Sequence, residues 1–507
     1  MDAETREFAR SFTRYVDAMA TVAREADAAE HRLTEVGQLV QDFLGADLQT
    51  VEPVTESFPA HQVVDLDLAL DALLETYRGE RQGISGANRE HVDSVSEYLV
   101  RTHSAFSPGP VSYRRLATGP DTDRRVVTLG IGMLRFDGVP VAWLQRGANR
   151  RHGRDEHTLE LLCPDLDRAE AFMRLVRDEM SRLSILRGQV ISFASDEFDY
   201  HDPGGSLTFL RRPEVGPEQV VLPAGVLDRV TRHVVGVGAH RETLRAAGQH
   251  LKRGVLLYGP PGTGKTHLVR HLLSRTPGTT AVLLSGRTLG LLTTATTLAR
   301  AAQPALIVLE DCDLVAEHRG GDTNAALFET LEAMDGLAAD ADITFVLTTN
   351  RADLLERALV ERPGRVDLAV EIPKPDLEGR RRLFGLYGAA LLEAGGVSEA
   401  ALQTAAARTE GVTASFAKEA IRRTVINAAQ QGRPPADIDL SHALDEMLSD
   451  AEALTRSLLG GEAHSFGDDV DPGSDAPAGR AYGRTARPGL HPGDAGGPDW
   501  VISFEGS

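Results

Sequence analysis

The chain has 507 residues, and its 54 basic side chains against 74 acidic ones leave a formal net charge of −20. That length is too great for one compact core, so about two to four units are expected. The deficit of positive charge excludes a protein that coats duplex nucleic acid, and only two cysteines, Cys163 and Cys312, exclude a disulfide framework.

Along the chain, apolar or alanine positions at Phe8, Phe12, Tyr15, Met19, Val22, Ala26, Ala29, Leu33, Val36, Val40 and Phe43 step by four and three. They predict an N-terminal helical segment over residues 1–50 that packs as a bundle helix, with a coiled coil as the alternative reading. The opening MDAETREFARSF lacks the basic start and apolar stretch of a secretory signal, and no run of about 18 apolar residues follows anywhere. A cytoplasmic protein without a membrane span is therefore expected.

Residues 51–215 read as an α+β domain. A helix is predicted at 63–77, a β-hairpin from VVTLGIGMLRF and VPVAWLQRG around Asp137-Gly138, and an amphipathic helix at 167–183. The hairpin runs into RGANRRHGR at 146–154, which suits a solvated turn or, as the sharper alternative, an anion or nucleic-acid contact. Prolines 213, 217 and 223 mark a linker, with a helix completing residues 216–250. At the other end, residues 459–507 are rich in glycine and proline and acidic, and predict a disordered tail.

Between these lies the chemistry. Residues 254–273, GVLLYGPPGTGKTHLVRHLL, place an apolar strand, a glycine loop and an amphipathic helix in succession. This is the context a phosphate-binding loop requires. Gly259, Pro260, Pro261, Gly262, Thr263 and Gly264 form the nucleotide-binding loop, in which Gly262 and Gly264 let backbone N–H groups close around the phosphates; Lys265 supplies a point charge, the Thr266 hydroxyl faces Mg²⁺, and His267 belongs to the same nucleotide-binding run. Lysine occurs only at 252, 265, 374 and 418, as in a GC-rich, bacterial genome; at Lys265 a planar guanidinium could not readily substitute for the slim ammonium. A second apolar strand in PALIVLEDCD (304–313) ends in Glu310 and Asp311. Adjacent side chains on a strand point to opposite faces, so Glu310 is assigned to the magnesium and Asp311 to the general base. A third strand, ITFVLTTN, ends in Asn350.

GPPGTGKT, the polar TTN and ALVERPGRVD occur in the order found in AAA ring ATPases, and residues 250–430 resemble that family. The resemblance implies an α/β P-loop NTPase core over 251–375, a parallel sheet of strand order 5-1-4-3-2, and a helical lid over 376–458. It further implies ATP and Mg²⁺ as cofactors, Asn350 orienting the lytic water, and Arg362 and Arg365 reaching as arginine fingers into a neighbouring subunit. A homo-oligomeric ring, a hexamer, remodelling or translocating a protein partner is the function implied. A nucleotide-gated scaffold with little hydrolysis and a nucleic-acid-stimulated ATPase are the rivals. MDGL (334–337) is similar to the family's intersubunit segment and TEGVTASFAKEAIRR (409–423) to the lid's sensing helix, with Phe416 where an acid is usual; Val235–Gly238 stand where adenine is often contacted.

The chain also departs from the family. Its strand acids run Glu310-Asp311 where Asp then Glu is usual, which resembles the branch containing the mitochondrial assembly factor for respiratory complex III, a folded-protein translocase. After AVLLSG no aromatic follows, so Leu289, Leu291 and Leu292 are expected to line a smoother pore. There is no HExxH, and His267 with His271 lack the further ligands a metal pair needs.

Overall fold

The computed structural model describes residues 19, 33–92, 94–100, 105–149, 154–193, 207–312, 341–351 and 366–449. The N-terminal domain is an antiparallel sheet covered on both faces. Its strands are β1 (Val54–Phe58), β2 (Glu80–Ser85), β3 (Ser107–Gly109), β4 (Ser112–Ala117), β5 (Asp123–Phe136), β6 (Val139–Arg146) and β7 (His157–Leu162), in the order β1-β7-β6-β5-β2-β3 with β4 also on β5. Asp137 and Gly138 both take positive φ, +49° and +85°, the two-residue turn whose twist matches the strands it joins. Gly132 faces Trp143 across that hairpin, and a Cβ there would stand 2.1 Å from the indole. Glycine therefore makes the room that the largest core side chain fills.

Alternation along β5 and β6 feeds two cores. Leu134, Phe136, Val141 and Trp143 pack under α2 (Val63–Thr76) and α4 (Leu166–Leu183), whereas Ile131, Met133, Ala142 and Leu144 pack under α1 (Glu35–Leu44) and α3 (Val95–Leu99). The helices predicted at 63–77 and 167–183 thus sit side by side on one face. Because Val36 and Val40 of α1 are buried in the sheet's own core, the expected boundary at residue 50 does not separate two units. Most of the N-terminal heptad positions lie outside the described residues.

The boundary expected at 215 also moves. Strands β8 (Val190–Phe193) and β9 (Leu207–Leu210) form a hairpin that joins the second sheet, where β8 runs parallel to β11 (Thr280–Ser285). With β10 (Arg253–Tyr258), β12 (Ala305–Glu310), β13 (Ile343–Thr349) and β14 (Leu368–Glu371), this sheet has the order β14-β10-β13-β12-β11-β8-β9. Its five strands from β10 to β14 are mutually parallel and nearly wholly apolar. Helices α5 (Val226–Ala239) and α7 (Lys265–Ser274) bury one face, and α8 (Leu292–Ala301) buries the other, which is why no polar alternation survives in those strands. The short helix α6 (Arg241–Ala246) follows α5.

Among the described residues, four helices follow the sheet: α9 (Leu377–Glu393), α10 (Glu399–Arg408), α11 (Ala414–Gln430) and α12 (Asp437–Leu448), around Phe384, Leu402, Phe416, Ile421 and Leu444. Asp376 and Ser398 cap α9 and α10 by accepting the N–H groups of Gly379 and Ala401. Among the described residues no helix is long and apolar enough to cross a membrane.

Candidate functional site

The glycine loop leaves the carboxyl end of β10 and enters α7. Gly259, Gly262 and Gly264 have φ of +144°, +76° and +105°, a conformation that side chains oppose. A Cβ at Gly259 would also lie 2.3 Å from the Ile372 carbonyl oxygen, so this position is closed to any other residue. Lys265 is buried and its Nζ donates to the carbonyls of Gly259 and Pro260 at 2.8 and 2.9 Å. The Thr263 hydroxyl donates to Pro260, bracing the loop from within.

Glu310 ends β12, with Thr266 of α7 near enough to influence its carboxyl. Burial pushes that carboxyl above the ordinary value; the Thr266 hydroxyl and nearby Arg270 oppose the rise, and the Asp311 charge adds to it. Asp311 turns the other way. Its φ is +50°, its N–H donates to the Thr348 hydroxyl at 3.0 Å, and the Asn350 amide lies 3.5 Å from its Oδ1. Glu310 thus lies near Thr266, and Asp311 near Asn350. The Thr266 hydroxyl and the Glu310 carboxylate are oxygen donors of the kind that suits a hard divalent cation.

Several expected residues stand elsewhere. The His267 ring meets the Gln219 carbonyl at 3.0 Å, and His271 meets the Val215 carbonyl at 2.8 Å. These histidines hold the linker against α7, and no group of three metal-binding side chains exists among the described residues. Phe416 is fully buried in the helical core. Leu289 and Leu292 are buried and Leu291 packs against the same core, because residues 286–291 coil into a 3-10 turn ahead of α8. They cannot line a pore. Arg362, Arg365 and MDGL lie outside the described residues.

Val235 and Gly238 do not approach the glycine loop. They line a cavity with Arg253, Asp342 and Thr344, at the beginnings of the strands whose far ends carry the P-loop. A cavity of about 200 Å³ adjoins the loop itself, walled by Val221, Pro223, Thr263, Pro373, Arg382 and Ala414. The prolines of the linker, which read only as a boundary, are what bring Val221–Ala224 there. The amino end of α11 leans on the loop too, the Ser415 N–H donating to the Gly262 carbonyl at 3.1 Å.

The arginines flanking the basic loop are structural. Buried Arg146 donates to Glu160 and, at 2.8 Å, to the Val92 carbonyl, and Arg154 donates to the same carbonyl at 2.9 Å. Both are committed to the 90–95 segment, while Arg150 and Arg151 lie outside the described residues.

Residues 255–374 match the model of the ATPase family associated with various cellular activities (AAA). Over that segment the chain is similar to an AAA ATPase domain. An ATP-dependent zinc metalloprotease YME1 homologue of Caenorhabditis elegans is 30% identical over 268 residues, 45% of this chain and 37% of that protein. A proteasome-activating nucleotidase of Methanocaldococcus jannaschii is 31% identical over 215 residues, 39% of this chain and 49% of that protein. The ATP-dependent zinc metalloprotease FtsH of Cutibacterium acnes is 29% identical over 228 residues, 42% and 31% of the two lengths. The chain thus spans less than half the length of each of these relatives.

Proposed function

We propose that the protein is a Mg²⁺-dependent ATP hydrolase that assembles as a homo-oligomeric ring, a hexamer, and uses turnover to remodel or translocate a protein partner in the cytoplasm. The observation that carries the reading is the geometry at the P-loop and the neighbouring strand ends: Lys265 held at the loop carbonyls, and Asn350 beside Asp311. The loop N–H groups and the amino end of α7 receive the phosphates, and the Lys265 ammonium leaves two backbone carbonyls for them. The adenine enters the cavity bounded by Val221, Pro223 and Ala414.

Thr266 and Glu310 hold the magnesium, which when bound neutralises charge on the β- and γ-phosphates. Asp311 accepts the proton of the attacking water and Asn350 orients that water. Arg362 and Arg365, supplied by the next protomer, stabilise the γ-phosphoryl charge, a contribution of about 10³–10⁵ in rate in such enzymes. Hydrolysis then requires assembly. The reversed acid order supports a place in the branch of the complex III assembly factor, and the absence of an aromatic after β11 supports handling of folded rather than threaded clients.

Steady-state ATPase activity measured across protein concentration tests the assembly. Specific activity should rise as rings form, and Arg365→Ala should abolish the activity without loss of nucleotide binding. Activity independent of concentration, or unchanged in that variant, overturns the ring-coupled reading.

A further inference from the structure

Strand β12 is in register with β13 up to the pair Leu309–Leu347. At Thr348 the pairing changes character. Instead of one more backbone rung, the Thr348 hydroxyl accepts the Asp311 N–H at 3.0 Å, while the Thr348 carbonyl accepts the Cys312 N–H at 3.0 Å. One residue thus receives two successive N–H groups, and the backbone between them swings to φ +50° at Asp311. Aspartate occupies this left-handed region more readily than glutamate because its short polar side chain can hydrogen-bond to the local backbone and offset the Cβ clash. The same turn sets the Asp311 carboxylate 3.5 Å from the Asn350 amide. Thr348 is wholly buried, so no water replaces its hydroxyl, and its branched Cβ restricts the rotamer that presents the oxygen.

We propose that Thr348 is a positioning residue for hydrolysis: its side-chain oxygen replaces a ladder rung, fixes the left-handed turn, and thereby makes the shorter acid at 311 an effective base. The reversed order of the acids and the threonine opposite them are one device. This inference rests on the hydrolytic reading above, with Asp311 as base.

The test is the ATPase kinetics of Thr348→Val, which keeps the shape and removes the acceptor, beside Thr348→Ser, which keeps the acceptor. Thr348→Val should lower kcat by about ten- to a hundredfold, the scale of a slightly misplaced catalytic group, with the KM for ATP within about twofold. Thr348→Ser should retain at least about half of kcat. In an Asp311→Asn background, Thr348→Val should change the residual rate by less than about twofold, since a residue that acts only through Asp311 has nothing left to position. A purely structural role predicts the same loss in both backgrounds. Should Thr348→Val not fold, Thr348→Ala carries the same comparison. A folded valine or alanine variant with wild-type kcat overturns the inference while hydrolysis stands. A wild type without turnover overturns the hydrolytic reading and this inference with it.

Discussion

In the N-terminal sheet, buried charges are paired with opposite charges, whereas Lys265 in the P-loop is held by backbone carbonyls of its own loop. Arg146 and Glu160 neutralise one another in the interior, and Glu160 also accepts the Val95 N–H at 2.8 Å. Asp67, buried to 1% exposure, takes the Arg124 guanidinium and the Val127 N–H. Lys265, by contrast, is held by two carbonyls of its own loop, and Glu310 carries a carboxyl raised by burial. The difference separates two uses of a buried charge. A buried ion pair stabilises a shape, and a buried group whose protonation is shifted by burial is a candidate for chemistry.

Mutating the two sites should therefore separate stability from activity. The largest effect is expected for Lys265→Ala, which should lower ATP turnover by at least about a hundredfold, the scale of losing one charged transition-state donor, while the melting temperature without nucleotide changes little. Equal losses of activity and stability would place Lys265 with the structural charges. Arg146→Ala should do the reverse: it leaves Glu160 buried without its cation, at about 3–5 kcal/mol in urea unfolding of the N-terminal domain, with kcat per folded molecule unchanged. Next in size, Gly132→Ala drives a methyl into the Trp143 ring and should cost about 1–3 kcal/mol. A neutral outcome there would mean the hairpin packs more loosely than the register implies.

The smallest effect is a pH dependence. Burial lowers the His233 pKa below the ordinary imidazole value, with Asp367 opposing and Arg253 lowering it further. A depressed pKa in the fold means the unfolded chain binds the proton more readily, so this contribution is present above the unfolded pKa and lost as pH falls. Thermal stability should decline between about pH 7.5 and 5.5, and His233→Gln should flatten that decline; an identical slope in the variant would remove His233 as its source.

How much could be read from the residues alone follows the same division. Phosphate binding restricts both residue type and spacing, so the loop Gly259–Thr266 could be singled out from the residues alone, Glu310 and Asp311 from their place at a strand end, and Asn350 through the family resemblance. Hairpin chemistry made Asp137-Gly138 legible for a similar reason, since two successive positive φ angles demand those residues. Non-local pairing was not legible. The strand at Val190–Phe193 is four residues long and finds its partner at Ala281–Leu283, so a proline-marked boundary was read where a sheet in fact continues. Leu289 and Leu292 looked like pore residues because the 3-10 turn that buries them has no sequence periodicity of its own. Val235–Gly238 were misassigned because the direction in which α5 runs along the sheet, away from the P-loop, depends on how the linker docks.

The most direct test of the central claim is a single-turnover measurement of ATP cleavage in wild type and Asp311→Asn, with bound nucleotide quantified in the same samples. The variant should bind ATP·Mg²⁺ as tightly as wild type and cleave it at least about a hundredfold more slowly, accumulating a trapped ATP state. Equal cleavage rates in the two proteins would contradict Asp311 as the base and, with it, the division of labour between the two acids.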